Sequence, residues 1–232
     1  GIGPKNGRAL LAYCGSVEAI FESSKKQLLH IPGIGHTIIE AIANNKSALK
    51  EAEKELEFID RHHITALWIE DDAYPKRLKN CEDAPLLLYY KGSADLNPSR
   101  TISIVGTRTA TPYGKKLCEE LIHNLKGLSV QVISGLAYGI DVHAHRQSVK
   151  NEIDTVAVLG HGLDRIYPAA HREIASKILM QGGILTEFPS GTNPDKQNFP
   201  MRNRIIAGLA DVTVVIEAAH RGGALITAEI AN

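Results

Sequence analysis

The sequence predicts an α/β fold in which a doubly wound parallel sheet follows a small helical module. From Thr101 onward, short and almost continuously apolar runs alternate with helical stretches. That alternation is typical of buried parallel strands with helices on both faces of the sheet. Near the N-terminus, a Gly-Ile-Gly sequence occurs twice, each time just before an amphipathic helical segment. The repeat predicts two helical hairpins that pack on each other.

The two Gly-Ile-Gly sequences precede predicted helices at 4–13 and 36–44. Glycine permits a tight turn that exposes backbone N–H groups at a helix N-terminus, where a DNA phosphate can be held. Lys5, Lys25 and Lys26 are candidate cations for such a contact. The alternative is an ordinary turn between helices that needs glycine only for its conformation.

A further helix is predicted at 46–60, where apolar residues follow helical spacing. We therefore place a helical domain at residues 1–60 and the sheet domain at residues 61–232. Expected strands are 64–69, 85–91, 101–106, 130–135, 154–160, 183–189 and 211–218, and expected helices are 112–126, 141–150, 170–181, 201–209 and a last one from 224.

Ligands of open parallel sheets bind at the carboxyl ends of the strands. Here those ends are rich in glycine, whose missing Cβ lets a phosphate reach the peptide N–H groups, and in arginine, whose planar fork suits phosphate oxygens. Aromatic rings among them could stack on unpaired bases. The candidate binding residues are Gly106, Thr107, Arg108, Gly135, Leu136, Ala137, Tyr138, Gly139, Gly160, Gly162, Asp164, Tyr167, Phe199, Arg202, Asn203, Arg204, Arg221, Gly222 and Gly223.

Several of these residues also have purely structural interpretations. Asp141 is expected to be the N-cap of its helix. Phe199 would suit the core as well as a base, and Tyr167 could simply shape a turn with the proline that follows. Arg202 and Arg204 could be solvated helix residues, although their position after a strand favours phosphate.

Composition and motifs exclude several classes of function. The chain has 232 residues with 26 basic and 26 acidic side chains, so net charge does not identify the partner. Three scattered cysteines indicate a reducing compartment, and no apolar run is long enough to cross a membrane, so we expect a cytoplasmic protein with no membrane partner. The sequence has no dinucleotide fingerprint, Walker A motif, metal-ligand spacing or plausible triad. We therefore expect no cofactor, no metal and no catalytic residue.

The motifs at the strand ends resemble those of the DprA/Smf family. The similar segments, in order, are 103–108 (SIVGTR), 134–141 (SGLAYGID), 162–164 (GLD) with 167–168 (YP), 199–209 (FPMRNRIIAGL) and 222–224 (GGA), all behind the double Gly-Ile-Gly module. The resemblance covers nearly the whole chain. It implies an extended Rossmann-like domain behind a SAM-like helical domain.

The resemblance also implies a function without catalysis. Members of the family bind and protect incoming single-stranded DNA, load the RecA recombinase onto it during natural transformation, and form homodimers. By this match Arg108 would hold a backbone phosphate, and the loops at 135–139, 160–164 and 199–204 would line the DNA groove. Many relatives carry a lysine after the Tyr-Pro pair, where Arg172 is the possible substitute here. Relatives also continue beyond the last helix, so the sheet domain is expected to be incomplete at its C-terminal side.

Two other functions compete with this interpretation. LOG-type nucleotide phosphoribohydrolases share a Rossmann-like fold and use a Pro-Gly-Gly-x-Gly-Thr-x-x-Glu motif, which residues 221–229 match only in part, with Glu229 at a different spacing. A pure interaction scaffold would use the glycine loops only as tight turns. That alternative leaves the arginines at the strand ends unexplained.

Overall fold

The computed structural model describes residues 2–44, 46–218 and 222–231. Its N-terminal part contains helices α1 (Pro4–Cys14), α2 (Val17–Glu22), α3 (Lys25–Leu29), α4 (His36–Ala43) and α5 (Lys46–His62). Gly3 and Gly35 are the N-caps of α1 and α4, as the Gly-Ile-Gly repeat predicts. Leu10, Leu28 and Ile39 are among the buried residues that hold α1 to α4 around a small core of their own.

Within the described residues, the sheet has seven strands in the order β1-β2-β6-β5-β4-β3-β7. The strands are β1 (Thr65–Trp68), β2 (Leu87–Gly92), β3 (Thr101–Gly106), β4 (Gln131–Ser134), β5 (Thr155–Val158), β6 (Gly183–Thr186) and β7 (Val212–Ile216). Strands β3 to β7 run parallel, while β1 and β2 form an antiparallel edge on β6. The predicted doubly wound α/β fold is confirmed, with this antiparallel edge added to it.

Helices cover both faces of the sheet. They are α6 (Lys76–Lys79), α7 (Pro112–Leu125), α8 (Ile140–Lys150), α9 (Arg172–Gln181), α10 (Asn198–Gly208) and α11 (Gly223–Ala231), and a single 3₁₀ turn, Ala169–His171, precedes α9. One face packs on α6, α10 and α11, and the other on α7, α8 and α9. None of the helices in the described part of the chain is long and apolar enough to cross a bilayer.

Helix α5 runs across the predicted domain boundary at residues 60 and 61, which stays a prediction. Its Ile59 packs with Ile64 and Tyr89 of the sheet domain. The first helix also contacts that domain, because Arg8 Nη1 donates to the Cys81 carbonyl over 2.6 Å.

Two local predictions are wrong. Helix α10 begins at Asn198 rather than at 201, so the predicted loop at 199–204 is helical. Pro200 is tolerated there because the first N–H groups of a helix have no partner within it. Asp141 is not an N-cap, since Gly139 holds that position and Asp141 lies in the first turn of α8, buried.

Candidate functional site

A cleft of about 620 Å³ opens at the carboxyl ends of the parallel strands. Its walls are the loops after β3 and β4, the turn before α9, and the N-terminal ends of α10 and α11. The predicted residues that line it are Gly106, Thr107, Arg108, Gly135, Ala137, Tyr138, Tyr167, Phe199, Arg202, Asn203, Gly222 and Gly223. The sequence therefore identified the edge of the sheet and most of the residues of one continuous cavity.

The loop that carries Arg108 is fixed by its neighbours on both sides. The Thr107 N–H donates to the Glu217 carbonyl over 2.7 Å, and the Thr107 carbonyl accepts from the Ile140 N–H over 3.1 Å. The Glu217 carboxylate accepts from the Thr111 N–H over 2.9 Å. The Arg108 side chain itself is exposed at the mouth of the cleft. An exposed guanidinium on a fixed loop is well placed to bind an anion.

Three aromatic rings line the same cavity. The Arg108 guanidinium lies 5.6 Å from the centroid of the Phe199 ring, and that ring lies 6.0 Å from the ring of Tyr167. Tyr138 contacts the imidazole of His171 edge-on at 4.8 Å. Tyr138 and Tyr167 are 50% and 47% exposed, so both offer ring surface to a ligand. The guanidinium of Arg108 thus lies beside aromatic rings on one wall of the cleft.

Arg202 and Asp141 form a buried charged floor. Arg202 is 3% exposed, and its Nη1 donates to the carbonyls of Gly135, over 2.5 Å, and Val158. A Cβ on Gly135 would lie 2.6 Å from Arg202 and from the Asp141 carboxylate, so any side chain there would displace this buried pair. Burial lowers the pKa of Arg202 to about 10, although the negative charge of Asp141 acts to raise it. Burial also raises the pKa of Asp141. Arg202 remains a cation at neutral pH. Its guanidinium donates to backbone carbonyls, however, and is not exposed at the edge of the sheet as the sequence predicts.

Arg204 does not face the cleft. Its Nη2 pairs with the Glu187 carboxylate, and its Nη1 donates to the Asp83 carbonyl over 2.6 Å. Residues two apart on a helix point in different directions, so Arg202 and Arg204 cannot serve the same site. The expectation that both lie at the rim is wrong for Arg204.

Other predicted residues lie beside the cavity without lining it. Leu136 is fully buried, and its carbonyl is 2.8 Å from His171 Nδ1. Asp164 holds a neighbouring loop by accepting from the Gly191 N–H over 2.9 Å. The remaining predicted residues outside the lining are Gly139 and Gly160, packed under it, Gly162, and Arg172, exposed on α9. Arg221 lies outside the described residues.

The sequence reasoning missed Lys196 and Glu217. Lys196 is exposed and lines the cleft from the loop between β6 and α10. The sequence could have indicated Lys196, because it is a cation two residues after a proline and three residues before Phe199. The loop that carries it reaches the edge of the sheet where the parallel strands end. Glu217 directly follows β7 and adopts a positive φ of 55°, which a sequence pattern does not reveal.

Comparisons with known proteins agree with this architecture. The family model of DNA recombination-mediator protein A matches residues 65–232, and the SAM-like helix-hairpin-helix tandem model matches residues 1–44. Protein Smf of Synechocystis is 36% identical over all of this chain and 59% of its own length. DNA processing protein DprA of Streptococcus pneumoniae is 44% identical over 68% of this chain and 56% of its own length. The chain thus spans less than two thirds of these curated relatives.

Two solved structures are similar over most of the chain. The crystal structure of DprA from Streptococcus pneumoniae superposes with a TM-score of 0.80 at 32% identity, covering 100% of this chain and 79% of that one. DNA processing protein A from Helicobacter pylori, whose structure is described as revealing its single-stranded DNA binding mode, has a TM-score of 0.66 at 30% identity over 72% of this chain and 75% of its own. The chain therefore belongs to the DNA recombination-mediator protein A family, the family of the DprA/Smf proteins.

Proposed function

We propose that the cleft binds single-stranded DNA through Arg108 and the aromatic wall. The observation that carries this proposal is the position of the exposed Arg108 guanidinium 5.6 Å from the Phe199 ring centroid. A cation beside stacking surfaces is the arrangement that holds the backbone and bases of an unpaired strand together. The single-stranded DNA binding ascribed to the Helicobacter pylori protein supports the same ligand.

The cleft favours an unpaired strand over a duplex. Tyr138, Tyr167 and Phe199 offer ring faces, which bind bases only when these are unstacked. Arg108 and Lys196 supply the exposed positive charge for phosphates. These contacts are made with the phosphates and with the faces of the bases. They do not involve the base edges that distinguish one sequence from another, so the cleft binds DNA irrespective of its sequence.

A binding role fits this cleft better than nucleotide hydrolysis. Among the described residues, Asp141 is the carboxylate that lines the cavity, and it is 6% exposed beneath Gly135 beside the buried Arg202. Glu229, the acid of the partial hydrolase motif, is exposed on α11 and does not line the cavity. An acid that serves a bound nucleotide must reach it. We therefore propose a protein that binds DNA and does not cleave nucleotides.

Family membership supports the wider role. In this proposal the protein acts in the cytoplasm as a homodimer, protects incoming single strands and loads the RecA recombinase onto them during natural transformation. DNA binding is the step for which the described residues supply a site, and it is the step to test first.

The test is binding of fluorescently labelled oligo-dT across a range of salt concentrations. We expect affinity to fall as salt rises, and Arg108→Ala to weaken binding and to lower the slope of log K against log salt by about 0.7. Lys79→Ala, on the short helix α6 away from the cleft, is the control and should bind like the wild type. Unchanged affinity in Arg108→Ala, or release of free base from a nucleoside monophosphate, would contradict the proposal.

A further inference from the structure

A second groove, of about 340 Å³, lies between α8 and α9 outside the cleft. Its lining residues are Arg146, Val149, Lys150, Ala170, Glu173, Ile174 and Lys177. Val149 and Ile174 are at least partly buried, whereas Ala170 and the charged side chains are exposed. The groove is therefore a polar channel on the flank of the sheet domain.

The groove carries an excess of positive charge. Three cations line it against the single carboxylate of Glu173, which accepts a hydrogen bond from Lys177 over 2.6 Å. Arg146 and Lys150 lie four residues apart and thus on one face of α8. The ion pairs found among the described residues do not include either of these two side chains. On a chain with no net charge, three cations against one carboxylate in one groove make a local site for an anion.

The groove begins where the cleft ends. Pro168, which precedes the 3₁₀ turn, lines the cleft, and Ala170, within that turn, lines the groove, so the two cavities meet at this turn. Tyr138, half-exposed in the cleft, packs on His171 of that same turn. Helices α8 and α9 both start at this edge and descend along the sheet, which places Arg146 about 9 Å below the start of α8. A strand that leaves the cleft past Tyr138 therefore meets the groove.

We propose that the groove between α8 and α9 holds the sugar–phosphate backbone of the DNA segment that leaves the cleft. This inference rests on the proposed function of the cleft. Arg146 and Lys150 would bind successive phosphates, while Val149 and Ile174 form the floor beneath the sugars. Cations without stacking surfaces make phosphate contacts only, so this segment would be bound irrespective of its sequence.

The experiment compares two lengths of oligo-dT, one of about four nucleotides that fits the cleft and one of about sixteen that extends beyond it. The test variant is Arg146→Gln/Lys150→Gln, which keeps helix propensity and removes two charges. The matched control is Lys76→Gln/Lys79→Gln on α6. Arg77 of that helix binds Asp211, which precedes β7 and also holds the N–H of Thr101 at the start of β3. The control charges therefore lie at the opposite edge of the sheet.

For the long oligonucleotide, we expect the test variant to bind several-fold more weakly and the slope of log K against log salt to fall by about 1.4, or about 0.7 for each lost cation. The test variant should bind the short oligonucleotide with the affinity of the wild type. The control variant should bind both lengths with wild-type affinity. If the test variant bound the long oligonucleotide with the same slope of log K against log salt as the wild type, the inference would be overturned. An acidic protein segment would then be the better occupant of the groove. Equal losses in test and control variants, or on both lengths, would overturn it as well.

Arg108→Ala separates the two proposals. If it weakens binding at both lengths while the α8 variant does nothing, the cleft binds DNA and only the groove inference fails. If Arg108→Ala changes binding at neither length, the proposed function itself fails.

Discussion

Arg202 reaches under the loop after β4 and donates to the carbonyl of Gly135 over 2.5 Å. The same Nη1 donates to the carbonyl of Val158 at the end of β5. One buried guanidinium thus joins the ends of two neighbouring strands beneath the cleft. Because the cleft walls are loops, their shape depends on this tie, and Arg202 contributes to the site by positioning its backbone.

Arg202→Lys should destabilise the fold although it keeps the charge. Both carbonyls accept from Nη1, a terminal atom of the guanidinium. The lysine side chain ends one atom short of that position and carries a different donor geometry, so at least one of the two buried carbonyls would lose its partner. We expect the free energy of unfolding to fall by about 1 to 3 kcal/mol, measured by urea denaturation. Arg172→Lys, exposed on α9, is the matched control, and equal stability of the two variants would contradict this role.

Glu217→Ala should loosen the loop that carries Arg108. The substitution removes the carboxylate that accepts from the Thr111 N–H, while the backbone bond from Thr107 remains. We expect a stability loss of about 0.5 to 1.5 kcal/mol together with weaker oligonucleotide binding. Glu217→Gln keeps an acceptor oxygen and should restore both properties, so a Gln variant as impaired as the Ala variant would argue against this hydrogen bond.

Phe199→Leu should weaken DNA binding without altering its salt dependence. Leucine retains apolar bulk but loses the ring face, and one stacked base contributes roughly 1 to 3 kcal/mol. We expect about tenfold weaker binding to oligo-dT with an unchanged salt slope, because no cation is removed. A reduced slope would show that the ring acts by holding Arg108 rather than by stacking.

Acidification should destabilise the protein through His145. Its side chain is fully buried, and burial lowers its pKa to about 3. As pH falls through 6.5, the unfolded chain takes up a proton that the folded chain does not, so the free energy of unfolding decreases by up to about 1.4 kcal/mol per pH unit. Burial raises the pKa of Asp141 and Glu187, and their protonation in the folded state opposes this effect as the pH falls.

Urea denaturation at several pH values between about 7 and 5.5, on the wild type and on His145→Gln, isolates the contribution of His145. His145→Gln can still hydrogen-bond to Thr155 but does not titrate, so its stability should depend on pH less steeply than that of the wild type. Equal slopes for the two proteins would mean that His145 is not the group responsible.

The sequence predicted the sheet and its binding edge because both depend on local patterns. Apolar runs of strand length marked β3 to β7, and the topology of parallel strands then gathered Arg108, Tyr138 and Phe199 at one edge. The glycines of that edge were equally informative, since Gly135 leaves no room for a Cβ.

The sequence did not reveal where the arginines point. The family resemblance implied a groove-lining loop at 199–204, and the position of these residues after a strand placed Arg202 and Arg204 at the same edge of the sheet. In the helix that actually forms, one lies under the cleft and the other pairs with Glu187 on a different side. The burial of Asp141 was hidden for a similar reason. Its place two positions beyond the N-cap of α8 is set by tertiary contacts with Arg202 and Gly135 rather than by capping preference.

Helix α5 has a consequence for how the protein is divided for study. Glu55 accepts hydrogen bonds from the N–H and hydroxyl of Ser190, the latter over 2.5 Å, across 135 positions of sequence. An expressed fragment cut at the start of β1 would lose this anchor and uncover the apolar surface of Tyr89. A fragment beginning near residue 46 would keep both, so we expect it to be more stable than the fragment that starts at β1.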